Sequence, residues 1–297
     1  MSRLSTSLFI LGLMLGCVGK APAQSANPKN AATAKDGLLI RNPPAQLAGG
    51  GFYKKYADAG GIPVLSSEKV PDAAVLTAGE IVNYMLHDRP DLRQYLVQQR
   101  SKVMIMAATE FQTDLPEYRD MKKPEKNDGR LTDKERADYD KPGGIGSQTD
   151  AEYWNQRARG MGGIEVSCAE ENLLGYKTDW YYGENIFVHE FAHTVFMALK
   201  NADPKLYGAI KKAYEQAQAK GLYKGQYAIN TLDEYFAEGT QWWFWTNYEF
   251  YDGEIRVQSP EDLKAYDPEL YRLLEQIYEG HTIPADVYQG KNLWPGK

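Results

Sequence analysis

Residues 183–200, GENIFVHEFAHTVFMALK, constrain the fold of this chain more than any other stretch. Ile186, Phe187, Val188, Val195, Phe196 and Met197 surround the segment with apolar side chains, so a helix formed here has to be buried. Yet two of the chain's four histidines, His189 and His193, lie inside it with Glu190 between them. Positions four apart share one helical face, so both imidazoles aim the same way, and Glu190 lies about 100° further round. Unpaired polar groups in apolar surroundings cost free energy. Two neutral imidazoles sharing one ion remove that cost. This is the H-E-x-x-H arrangement, in which zinc acidifies a water and polarises a carbonyl while the glutamate takes the proton.

A catalytic zinc normally takes a third protein ligand. A third histidine six residues after His193 is absent, because residues 194–199 read TVFMAL. His87 in HDRP and His281 in GHTIP have the setting of loop or helix-end residues. Glu215 stands among lysine and glutamine in KKAYEQAQAK, a solvated face. Glu234 and Glu238 in NTLDEYFAEGTQWWF are again four apart, on a stripe that Trp242 and Trp245 continue. One such carboxylate can bind an ion while the other accepts a hydrogen bond from a ligating imidazole. Glu234 also has a competing reading, since Thr231-x-x-Glu234 is a capping box in which the carboxylate bonds the Thr231 N–H. The lack of another good third ligand favours ligation.

HEFAH followed by EYFAE resembles the gluzincin metallopeptidases related to anthrax lethal factor and the Pro-Pro endopeptidases, which share HExxH and a downstream E-[FY]-[FW]-A-E signature. The resemblance covers residues 184–243. It implies an α+β, zincin-like fold, with an N-terminal mixed α/β lobe and a C-terminal helical lobe around the active-site helix. It also implies one zinc ion on His189, His193 and Glu234, with Glu190 as general base and Glu238 supporting a zinc-bound histidine. A tyrosine seven residues before the ligating glutamate stabilises the oxyanion in that family, which implies Tyr227 in KGQYAIN. The chain holds 21 tyrosines, so packing is the competing role. A peptide or protein is the implied substrate. Two rivals keep the same ligands: an exported ligand-binding protein on a zincin scaffold, which has no need of Glu190, and a zinc hydrolase of a non-peptide amide.

Elsewhere the pattern reads as an α+β front half and a mainly helical back half. GLLIR (37–41) and IPVLSS (62–67) are β-like runs, and KVMIMAA (102–108) is a central strand. GIEVSCAEENLLGY (163–176) holds one or two further strands. Helical spacing at Ala74, Leu76, Ile81, Tyr84 and Met85 predicts a helix that stops before Pro90. Asp203, Pro204 and Gly221 mark the N-cap, first turn and end of another helix. Residues 231–250 and 259–280 read as two more, the second broken near Pro268. Residues 117–150 are charged and rich in Gly and Pro, the character of a polar surface insertion within one catalytic domain spanning 37–297.

The first 23 residues read as an export signal: Arg3, the apolar run LFILGLMLGCVG, too short to span a membrane, and cleavage after Ala23. Residues 24–36 then form a flexible linker. A lipid anchor at Cys17 is the alternative, weakened by Met14. The expected location is therefore secreted or periplasmic, or anchored at the cell surface. After cleavage Cys168 stands alone, which excludes an internal disulfide and fits a small buried hydrophobe better than a nucleophile. A net charge of −6 gives no basic face for nucleic acid, and no other segment is apolar enough to span a membrane.

Overall fold

The computed structural model describes residues 37–129 and 131–279. The expected leader, the linker, Cys17 and His281 lie outside the described residues. The chain forms a hairpin of β1 (Lys55–Ala59) and β2 (Ile62–Ser66), then α1 (Asp72–Met85), α2 (Pro90–Gln98) and β3 (Lys102–Met106). α3 (Asp133–Asp138), α4 (Asp150–Asn155), β4 (Glu165–Ala169) and α5 (Glu170–Leu173) complete the mixed half. The helical half holds α6 (Ile186–Ala202), α7 (Pro204–Lys220), α8 (Leu232–Trp243), the small hairpin β5 (Phe250–Asp252) and β6 (Ile255–Val257), α9 (Pro260–Tyr266) and α10 (Pro268–Tyr278). The fold is α+β, with a sheet in the order β1-β2-β3-β4. β1 and β2 are antiparallel; β2, β3 and β4 are parallel.

Both faces of this sheet are covered, which is why its central strands are apolar throughout. Side chains alternate across a strand. Val64, Val103, Ile105, Val166 and Cys168 therefore face a core shared with α1, α2 and α6. Leu65, Met104, Met106 and Ala169 face a second cluster with Tyr53, Trp154 and Met161. The charged segment 117–150 contributes to that second cluster. Its Tyr118, Leu131 and Ile145 are buried there, so it roofs the far face of the sheet as well as meeting solvent.

Several elements depart from the sequence reading. GLLIR does not form a strand: only Arg41 pairs, with Tyr56, while Leu38 packs near Gly79 of α1 and Leu39 is exposed. The hairpin partner of β2 is instead KYADA, whose Lys, Ala and Asp are poor strand formers. It works because Ala57 and Ala59 put small side chains into the core and Asp58 faces out. Gly60 and Gly61, at φ 64° and 90°, supply the two left-handed positions of the tight turn. α1 ends at Met85, before Pro90 as expected, and Pro90 itself is the first residue of α2, a position its fixed φ suits. Residues 163–176 give one strand and one helical turn. α8 stops at Trp243, because Trp245 takes φ 59° and the Thr246 N–H bonds the Gln241 carbonyl at 2.8 Å.

Single bridges flank the sheet. Arg41 pairs with Tyr56 beside β1, and Met161 pairs with Ser167 of β4. Among the described residues no helix is long and apolar enough to cross a membrane.

Candidate metal centre

α6 runs through the middle of the core, and Asn185 starts it by accepting the Val188 N–H at 3.0 Å. His189, Glu190 and His193 are all at least 97 % buried, which leaves their polar atoms little contact with bulk solvent. α8 packs across α6 and begins at Thr231, whose hydroxyl accepts the Glu234 N–H at 3.1 Å. The second half of the expected capping box gives way to another contact. The Glu234 carboxylate turns inward, with Oε2 at 3.1 Å from His189 Nε2 and 3.5 Å from His193 Nε2. The two imidazole Nε2 atoms lie 3.1 Å apart.

These three atoms form a triangle of 3.1, 3.1 and 3.5 Å. A tetrahedral ion with bonds of about 2.0–2.1 Å separates its ligand atoms by about 3.3 Å. The side chains are therefore already spaced as three corners of such a site. Two ring nitrogens facing each other at this distance require a proton or a cation between them, and two imidazoles with one carboxylate suit a divalent ion of borderline softness. The cluster can hold a metal ion.

Burial resists ionisation of Glu234, but His193 and His189 outweigh it and hold the carboxyl well below its usual range. Burial likewise resists charging His189, and Glu234, Glu190 and Glu238 raise it nonetheless. Glu190 stands outside the triangle. Burial pushes its carboxyl up to about 7 against the pull of both histidines, and its Oε2 has no hydrogen-bond partner among the described residues.

The wall beside Glu190 is backbone. Residues 160–163 lie along β4, where Met161 and Ser167 exchange N–H···O bonds of 3.1 and 2.9 Å. A Cβ on Gly162 would come within 2.8 Å of His193 Cβ and 2.9 Å of the Glu190 carbonyl, so only glycine fits without displacement. The Gly163 carbonyl accepts the Thr194 hydroxyl at 2.6 Å, tying this segment to α6.

Tyr227 sits on a single 3-10 turn, Tyr227–Ile229, between α7 and α8. Its hydroxyl donates to Glu234 Oε1 at 3.1 Å. Burial and then Glu234 push that hydroxyl far above its ordinary range, so it stays a neutral donor. Glu238 is buried nearby, its carboxyl pushed up to about 7 by burial. Its Oε1 is 3.5 Å from His189 Nδ1, while its Oε2 accepts from Asn247 at 2.7 Å. The nearer partner of Nδ1 is Gln241 Oε1, at 2.8 Å. Sequence reasoning passed over Gln241, although positions 234, 238 and 241 share one face of α8 and a glutamine on so apolar a stripe was the available signal.

The remaining candidates lie elsewhere. Glu215 is exposed beside Lys211, and His87 is exposed beside Asp88. Cys168 is fully buried on β4, and burial drives its thiol well above the usual range, which removes it as a nucleophile.

No family model matches the sequence, and neither does any curated protein. Among solved structures, the chain is similar to the Pro-Pro endopeptidase of Paenibacillus alvei over 72 % of its own length and 96 % of that chain. The TM-score is 0.41 and the identity 15 %, so the chemistry of the site rests on its own geometry.

Proposed function

We propose that this chain is a zinc-dependent peptidase of gluzincin type, using His189, His193 and Glu234 as ligands. One observation carries the reading: three buried ligand atoms at tetrahedral spacing stand beside a fourth buried group, Glu190, that the triangle does not use. A zinc ion held by these ligands would acidify a water and polarise the carbonyl of the bond to be cut. Glu190 takes the proton from that water and passes it to the leaving amine; a carboxyl raised towards neutrality suits both roles. Tyr227 releases Glu234 and donates its hydroxyl to the developing oxyanion. Gly160 and Gly162, where an added Cβ would meet Glu190 Cγ at 3.0 Å and Oε2 at 3.1 Å, keep side chains out of the space beside that carboxylate.

The leader-like first 23 residues support an enzyme that acts outside the cytoplasm on peptide or protein substrates. A binding protein using the same ligands has no use for a buried, unshared carboxylate at 190, and a hydrolase of non-peptide amides would share every step above. The decisive experiment is digestion of a peptide library by wild type and Glu190→Gln, with bound metal quantified in both. Cleavage by wild type alone, at equal metal content, is the expected result. Equal cleavage by both, or none by either, sinks the peptidase.

A further inference from the structure

Gln241 is fully buried one helical turn beyond Glu238, and its side-chain amide is held at both ends. Nε2 donates to Glu184 Oε1 and to the Asn185 carbonyl, each at 3.1 Å, and faces the Thr246 carbonyl at 3.5 Å. Which end of an amide is oxygen is ordinarily an assignment made from its neighbours. Here the neighbours decide it. Two are backbone carbonyls, which never donate, so the reversed amide would set oxygen against oxygen. The amide oxygen must therefore face His189 Nδ1, at 2.8 Å. An amide oxygen only accepts, so Nδ1 carries the hydrogen, and in the neutral ring Nε2 keeps the lone pair.

We infer that Gln241, rather than Glu238, is the residue that positions His189, fixing the Nδ1–H tautomer so that Nε2 faces the triangle ready to ligate. Glu238 is farther from the ring, and one of its oxygens is committed to Asn247. The device also joins the two helices of the site. The Asn185 N–H bonds the Thr246 carbonyl at 2.9 Å, and the Thr246 N–H bonds the Gln241 carbonyl at 2.8 Å. The start of α6 and the end of α8 thus close one ring of hydrogen bonds through Gln241, whose amide oxygen meets the imidazole. A carboxylate, a common orienting partner of a ligating histidine, does not fit at 241. It would meet the Glu184 carboxylate and two carbonyls where the amide now donates.

The role of Gln241 in ligation rests on the zinc reading; the tautomer does not. The test compares the full chain with Gln241→Met, Gln241→Glu and Glu238→Gln, measuring zinc affinity by chelator competition and His189 ring-nitrogen signals by 15N NMR, with and without zinc. Both substitutions at 241 are expected to weaken zinc by about 10–100-fold, the usual effect of losing an orienting partner, and Glu238→Gln by about threefold or less. A loss confined to Glu238→Gln overturns the assignment. If Gln241→Met does not fold, wild type decides: a protonated Nδ1 in His189 supports the inference and an unprotonated Nδ1 overturns it. Failure of wild type to bind zinc defeats the metal reading, while the ring signals of the metal-free protein, read at a pH where the ring is neutral, still test Gln241.

Discussion

The Tyr227 hydroxyl and the Glu234 carboxylate meet at 3.1 Å, joining the turn before α8 to the first turn of that helix. The tyrosine is thus held at the edge of the ligand triangle by a residue of the triangle itself, without being one of its ligand atoms. Tyr227→Phe should leave bound zinc unchanged and lower kcat by about 10²-fold, the scale for losing one oxyanion donor. Metal analysis and steady-state kinetics on a substrate from the peptide library check both halves. A kcat within about twofold of wild type leaves Tyr227 as packing.

Glu234→Ala removes one corner of the triangle and leaves two buried imidazoles facing each other. Zinc content after gel filtration should fall to near zero, while Glu215→Ala, on the exposed face of α7, keeps its full complement. Retained zinc in Glu234→Ala would contradict the ligand set.

Gly162→Ala places a methyl against His193 Cβ and the Glu190 carbonyl. Overpacking of this kind costs about 1–3 kcal/mol, so thermal unfolding should move down by about 2–4 °C per kcal/mol. Peptide cleavage should drop as Glu190 is displaced. Ala at Gly129, where no atom lies within 4 Å of the added Cβ, is the control and should change neither.

Glu170, buried after β4, has its carboxyl pushed up to about 7, first by burial and then by Glu171 and Glu110, against the Ala108 N–H and Arg159. The folded state therefore holds this proton more tightly than the unfolded chain, whose ordinary value is 4.5. The associated stability is fully present below about 4.5 and is lost as pH rises through about 7. Glu170→Gln cannot ionise, so it should unfold at a higher temperature than wild type at pH 8 and at nearly the same temperature at pH 4.5. Melting curves at both values check the sign; a gain at pH 4.5 alone contradicts it.

The parts of the molecule legible in the sequence are those set by local chemistry. The apolar flanks of HEFAH specify a buried helix, Asp203, Pro204 and Gly221 delimit α7, and KVMIMAA is a strand enclosed on both faces. Spacing alone also showed that Glu234 and Glu238 share a face of α8. Spacing could not tell which of them reaches the histidines, because that depends on how far α8 slides along α6. Gln241 was hidden for a related reason. Its amide is fixed by Asn185 and Thr246, and Thr246 returns to α8 only because the chain turns at Trp245. β1 was hidden because KYADA has little strand propensity of its own and is made a strand by the small-residue face it packs against α1.

The two single-residue bridges beside the sheet carry a consequence for how this protein behaves in crowded solution. Arg41 exchanges both backbone bonds with Tyr56 at 2.8 Å, and Met161 exchanges both with Ser167 at 3.1 and 2.9 Å. Backbone groups at a sheet margin are the template on which misfolded or neighbouring chains add strands and grow into aggregates. Here part of that template on each side is spent on a partner from the same chain, and the exposed Asp58 adds a charge on β1. Strand addition is therefore hindered at the bridged positions on both margins of this sheet.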